Sequence, residues 1–563
     1  MKKVLKKTMA LTLTAVAACL TVACGGTTPQ GEEIDANKTQ IYVYNFNKGY
    51  GSAWLTNVKT SYETEMANYE GTDGKKGVQV VIYNKESNDH KANTVNSDRH
   101  EVYFTEYANY HKWVEDGMFA DITSVLTEVN PYDGKTIISK YSQNQEGFYN
   151  CGSKTSPVYY GIPHYAAYNG IIYNANLFEE KGFFLSKNPV GDAETNLAGQ
   201  FTSDASKKTA GPDGIAGNED DGLPRTYEEF YLLCEYIGKT DGIIPLTMTA
   251  DSKDTYIQKF ALQLMADADG AYETFLNYSL DGTASTLGSV NGDGTFSVGA
   301  SLSVNASNGV ELKKQAGKYY ALQFLETLID EGYINHNAIN KEKGYSHKNA
   351  QKDFVMNGKN AYAQTAMLID GCWWEMEANQ ALIDAGNPEA DGFKMMPLPK
   401  PTKALQAARA RAYSATETSG EYQNKGTLID EIGSLCFVKK SVDMTSKQGL
   451  LIKDFLQYVY SDSQLVEFTK TTSTTRALKY DVADTTGLST YAKSLLKAQN
   501  EYDVVYPLSA SEDFKNHWSN YSVNESFRSQ VGSESYQYIV AALKKGVSAK
   551  EYFEGMYTYY SAK

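Results

Sequence analysis

Near the start of the folded part of the chain, a strand, a helix face and a second strand follow one another. Gln40–Phe46 (QIYVYNF) is a run of β-branched and aromatic residues that favours an extended backbone. Trp54, Val58, Tyr62 and Met66 then recur every four residues, one face of a helix. Val78–Tyr83 (VQVVIY) is a second apolar extended run. A strand–helix–strand unit is a crossover, so the two strands pair in parallel and the chain is predicted to be α/β. Glu101–Thr105 reads as a further strand, followed by a helical stretch through Trp113 and Val114 that Gly117 closes. Gly170–Asn174 reads as another strand, leading into a short helix that Gly182 stops. Thr226 and Glu229 have capping-box spacing, which predicts a helix from Tyr227 with Tyr227, Phe230, Cys234 and Ile237 on its apolar face. Leu322, Leu325, Leu328 and Ile329 mark an amphipathic helix. Asp281–Ser307 is rich in Thr, Ser, Val and Gly around the turn Asn291-Gly292-Asp293-Gly294, which predicts a hairpin-like insertion.

The N-terminus sets the compartment. Lys2, Lys3, Lys6 and Lys7 precede an apolar stretch from Met9 to Ala23. That stretch is short of the roughly 20 residues a membrane-spanning helix needs and has the length of a signal-peptide core. It ends Thr21-Val22-Ala23-Cys24-Gly25-Gly26, which resembles a bacterial lipobox, although Thr21 stands where leucine is usual. Residues 1–23 are therefore expected to be a lipoprotein signal peptide, with Cys24 lipidated, and 24–37 a small, polar, flexible tether. The implied location is the outer face of the bacterial cytoplasmic membrane. The body, from about Lys38 to Lys563, is long enough for more than one lobe. The formal charge of -15 argues against a nucleic-acid partner. Cys151, Cys234, Cys372 and Cys436 are dispersed, without the paired spacing of a disulfide framework or a zinc site, and are expected as small buried apolar residues.

Several segments together resemble the extracellular solute-binding proteins (family 1, maltose-binding-protein-like) of carbohydrate ABC importers. They are Tyr159-Tyr160-Gly161-Ile162-Pro163-His164-Tyr165 with Gly170–Phe178, Leu223–Phe230, Phe354–Ala361 with Asp370-Gly371-Cys372-Trp373-Trp374, Met396-Pro397-Leu398-Pro399, and Thr471–Leu478. The resemblance implies a two-lobed periplasmic-binding-protein-like α/β fold of type II, with discontinuous lobes joined by a hinge that closes on a ligand. The lobes are expected over 38–166 plus 367–438 and over 167–366 plus 439–563. It implies a non-enzymatic monomer that captures a carbohydrate and delivers it to an ABC permease.

A sugar offers C–H faces that stack on aromatic rings and hydroxyls that need placed donors and acceptors. Of the 43 tyrosines, most are expected in core or surface roles. The Trp373–Trp374 pair matches the place where the family puts a cleft tryptophan, and Trp374 is the favoured member. Asn45, and Thr105 with Glu106, sit at strand ends where open α/β sheets place ligand contacts. Tyr165 follows the Tyr-Gly-Ile-Pro turn, and Arg476 lies in the last loop as a multiple donor. No cofactor is required. Gly211–Gly222 interleaves oxygen side chains with glycines, so Asp213, Asn218, Asp220 and Asp221 are candidate ligands for a structural calcium, or else form a solvated acidic turn. His100-Glu101 opens like a zincin motif, but Phe104 occupies the second histidine's place. A glycan-acting hydrolase and a peptide-binding surface lipoprotein are the alternatives.

Overall fold

The alternation of strands and helices resolves into two sheets. The computed structural model describes residues 33–562 apart from 47–48, 73, 86–89, 107, 241, 250–254, 341–344, 360–361, 402–425, 431–432 and 522–525. The signal peptide, Cys24 and the tether up to residue 32 lie outside the described residues. The sheets draw on β1 (Thr39–Phe46), β2 (Val78–Lys85), β3 (Val102–Thr105), β4 (Gly161–Pro163), β5 (Asn169–Asn174), β6 (Ile243–Thr247), β7 (Gln364–Gly371), β8 (Phe393–Met396) and β9 (Leu435–Val438). The helices that matter here are α1 (Ala53–Glu65), α2 (Tyr227–Gly238), α3 (Tyr256–Asp269), α4 (Ala316–Asp330), α5 (His347–Met356), α6 (Lys447–Val459), α7 (Asp462–Thr472), α8 (Thr490–Glu501) and α9 (Ala549–Ser561).

The first sheet has the order β2-β1-β3-β9-β4. β1 is parallel to β2 and β3, as the βαβ pattern predicts, and β9 runs antiparallel to β3 and β4. The second sheet has the order β8-β5-β7-β6, with β7 parallel to β6 and β5 antiparallel to both β7 and β8. Trp54, Val58 and Tyr62 bury one face of α1 beside the first sheet. α2 starts at Tyr227 with Thr226 Oγ1 accepting from Glu229 N at 3.2 Å. The Glu229 carboxylate turns instead to Arg225, so half of the capping box forms. The insertion folds as paired short strands around a turn in which Asn291 N donates to Thr295 O. Cys234, Cys372 and Cys436 are buried, and Cys151 is half-buried.

The division between the sheets differs from the expected one. Residues 367–371 and 393–396, assigned from sequence to the first lobe, belong to β7 and β8 of the second sheet. Thr365–Gly371 is buried at every position, as a strand paired on both sides must be. Conversely α6 and α7, assigned to the second lobe, pack on α1 of the first. α8 packs on β8, and α9 on α4, as expected for the second.

Three segments lie side by side where the sheets meet. Ser434 Oγ accepts from Tyr165 N (2.9 Å) and donates to Tyr165 O (2.8 Å). Ala166 N donates to Thr475 O at 3.0 Å, and Ala167 N to Asp430 Oδ1 at 3.0 Å. Cys372, just past β7, is fixed against the same place: its N donates to Tyr168 O (2.8 Å) and its sulfur accepts from Tyr168 N (3.3 Å). Tyr50, from the segment after β1, completes the knot. Its hydroxyl donates to Ala166 O at 3.1 Å and meets Cys372 Sγ at 3.0 Å.

Candidate ligand-binding junction

β7 ends at Asp370-Gly371, and the chain turns there into the short helix Trp374–Glu377. The turn sends the two tryptophans apart. Trp373 faces the first sheet's side: a Cβ on Gly49 would stand 3.7 Å from the Trp373 Cβ. Its Nε1 donates to Tyr256 Oη at 3.0 Å. Tyr256 stacks on His347 (centroids 5.0 Å, planes at 8°) and donates to Glu377 Oε2 at 2.9 Å. Lys259 Nζ lies 4.7 Å from the Trp373 ring. This aromatic and polar corner opens to solvent along His347 and Lys348, whose side chains are 28% and 54% exposed.

Behind the corner stand two carboxylates. Gln351 Nε2 donates to Asp370 Oδ2 (3.0 Å) and to Glu377 Oε2 (2.7 Å), holding both with one amide. Burial, with the charge of Glu377, pushes Asp370 up to about 7. Burial also raises Glu377, but the hydrogen bond and charge of His347 and the charge of Lys348 outweigh it and hold its carboxyl low. Two acceptors of different charge therefore stand behind one aromatic ring at a sheet's C-terminal edge, the place where α/β sheets receive ligands.

Across the junction, Asn45 Nδ2 donates to Asn84 Oδ1 at 2.9 Å, and Thr105 Oγ1 meets His90 Nε2 at 3.0 Å. Glu106 is buried, and its charge acts on the Tyr50 phenol. Tyr165 is buried with its ring edge-to-face on Tyr50 at 4.3 Å.

This two-sheet arrangement is shared with solved structures. A chitin oligosaccharide binding protein superposes with a TM-score of 0.52 at 15% identity, over 93% of this chain and 99% of that one. The GacH receptor of Streptomyces glaucescens, solved unliganded and with acarbose, gives 0.50 at 14% identity, over 93% and 98%. A structure from a study of xylan utilization by Caldanaerobius polysaccharolyticus gives 0.50 at 14%, over 92% and 99%. No protein-family model and no curated protein matches the chain.

The chain has the two-lobed solute-binding-protein fold.

Within this fold, two of the residues singled out from sequence take other places. Trp374 is fully buried among Phe354, Phe393 and Tyr491, with ring centroids 5.1–5.8 Å away. Of the adjacent pair, Trp373 faces the junction, the reverse of the sequence preference. Arg476 is 1% exposed inside the first lobe, its guanidinium 4.2 Å from the Phe468 ring, 4.7 Å from Trp54 and 4.8 Å from Tyr460. Its Nη1 lies 2.6 Å from His164 Nδ1. Burial and the Arg476 charge hold His164 well below its ordinary range, so the neutral ring accepts that bond. Arg476 is a core cation, not a donor in an open loop. Asn45, Thr105, Glu106 and Tyr165 border the junction but are buried.

The sequence reading missed Tyr50, Tyr256, His347, Gln351, Asp370 and Glu377. Asp370 carried a usable signal, since it ends an apolar strand directly before a glycine. Tyr256, His347 and Gln351 come from separate helices, and no local pattern marks them.

The acidic loop lies elsewhere, near β5 and β8 of the second lobe. Asp213, Asn218, Asp220 and Asp221 are brought together there by their own hydrogen bonds.

Proposed function

We propose that this protein captures a carbohydrate, an oligosaccharide in particular, outside the cell by closing its two lobes on it, and delivers it to an ABC importer. In this reading it acts as a monomer held to the outer face of the membrane by a lipid on Cys24. The observation that carries the reading is the Trp373 corner. An apolar ring faces the junction, with Tyr256 and His347 beside it and the Asp370–Glu377 pair behind. Such a corner suits a ligand with a flat C–H face and a rim of hydroxyls. The similar folds, whose titles name chitin oligosaccharide and acarbose, support the ligand class. A binding role, rather than hydrolysis, accords with one carboxylate being protonated near neutrality and both being tied to Gln351.

The test is a thermal-shift screen of the mature chain against chito-, malto- and xylo-oligosaccharides, with peptides as controls. A cleft ligand binds only the folded state and raises Tm by mass action. At least one oligosaccharide should raise Tm saturably. A response to peptides alone, or release of reducing sugar during the assay, would replace the reading.

A further inference from the structure

The Gly211–Gly222 loop leads into α2 and packs against the second sheet at β5 and β8. Its side chains organise the loop from within. Asp213 Oδ1 accepts from Ile215 N (2.7 Å) and Oδ2 from Asn218 Nδ2 (2.7 Å). Asn218 Oδ1 accepts from Asp220 N (3.1 Å), and Asp220 Oδ2 accepts from Asp213 N (3.1 Å). Asp221 Oδ2 accepts from Gly217 N (2.7 Å). Gly211 has φ +62°, and a Cβ there would collide with the Asp220 carbonyl, so the two ends of the loop close on each other.

These bonds use only half of two carboxylates. Asp220 is 7% exposed, and its Oδ1 is buried with no hydrogen-bond partner. The Oδ1 of Asp221 is in the same condition. Asp220 lines a cavity of about 70 Å³, with Asp213, Glu219, Lys394 and Lys497 also on its wall. That volume holds one ion with water, given about 30 Å³ for a water in the liquid. Lys394 is 3.8 Å from Glu219, so one of the two lysines already has a carboxylate. Burial, with Asp213's charge adding, pushes Asp220 up to about 6, so at neutral pH it is still largely ionised. A buried carboxylate oxygen with neither donor nor cation is costly.

We infer that this loop binds one calcium ion through Asp213, Asn218, Asp220 and Asp221. The chemistry selects the metal. Among the described residues no three His, Cys, Asp or Glu side chains converge in a metal-holding group, so the site lacks the dense soft or imidazole set that zinc takes. A calcium shell is satisfied by a mixture of a few carboxylates with amide and backbone carbonyl oxygens and water, in flexible geometry. Magnesium demands near-ideal octahedral order that such a loop does not impose. The ion would fasten the segment before α2 to the edge of β5 and β8, away from Trp373.

The experiment uses the mature chain stripped with EGTA and dialysed. Calorimetric titration with calcium chloride should show one site per chain with Kd at or below about 10⁻⁴–10⁻³ M, the range of extracellular calcium modules. Tm should rise with calcium and not with equal magnesium. Asp220→Asn should weaken calcium at least tenfold while leaving the metal-free Tm equal or higher, because the unpaired buried charge is gone. Asp221→Asn gives the same reading of affinity if the first variant does not fold. Absence of calcium heat and of any Tm change up to about 5 mM overturns the site. So does wild-type calcium affinity in the Asp220→Asn protein, and an equal response to magnesium overturns the choice of metal.

Discussion

At the scale of single residues, adjacent tryptophans have opposite duties. Trp373 presents its ring to the junction and satisfies its Nε1 on Tyr256, whereas Trp374 fills the core between α5, β8 and α8. Trp373→Ala should weaken oligosaccharide binding at least tenfold, about 1.4 kcal/mol, with a small change in stability. Trp374→Ala should cost about 3–5 kcal/mol of stability through the cavity it leaves, with affinity retained by what folds. Calorimetry paired with urea unfolding separates the two, and swapped phenotypes would mean that the assignment is inverted. Arg476 is the second residue whose place local sequence could not show. A cation among Trp54, Tyr460 and Phe468 is a tertiary arrangement of four distant positions, so a last-loop arginine looks like a ligand donor until the core around it is known. Arg476→Ala should lower unfolding free energy by roughly 3 kcal/mol, leaving His164 and the facing rings without their partner. Unchanged stability with lost binding would return Arg476 to the ligand site.

At the scale of elements, the strands were legible because their signal is local. QIYVYNF, VQVVIY and GIIYN announce extended backbone in any context, and the Trp54–Val58–Tyr62 face announces α1. Sheet membership was not legible. β7 could pair with either sheet as far as its apolar run shows, and its partners β5 and β6 are far away in sequence. The end of β7 carries a pH-dependent consequence. Asp370 is raised in the fold, so its contribution favours the folded state below the ordinary carboxylate range, about 4, and is lost as pH rises through about 7. Glu377 is held low, and its contribution has the opposite sign: present above that range and lost only as pH falls below it. Asp370→Asn should therefore remove the stability lost between about pH 5 and pH 8, flattening the Tm profile relative to the wild type. Parallel profiles for the two proteins would show that Asp370 is ionised throughout.

At the scale of the whole molecule, the two sheets meet through a small set of hydrogen bonds on residues 164–168, 430–434 and 473–476, with Cys372 and Tyr50 between them. A junction of this kind lets one lobe turn against the other while each core stays packed, since packed cores resist deformation and thin crossings do not. The resemblance in sequence pointed to this architecture before any distance was known, because its motifs fall at strand ends and crossings spread along the chain. It did not locate the ligand corner, whose members come from α3, α5 and the turn after β7. The central claim is that a carbohydrate is held between the lobes and closes them. Small-angle scattering of the mature chain, titrated with the oligosaccharide that raises Tm most, measures closure directly. The radius of gyration should fall saturably with the same midpoint as the thermal shift, and the fall should be lost at the same concentrations in Trp373→Ala. Saturable binding with an unchanged radius of gyration in the wild type would contradict the account.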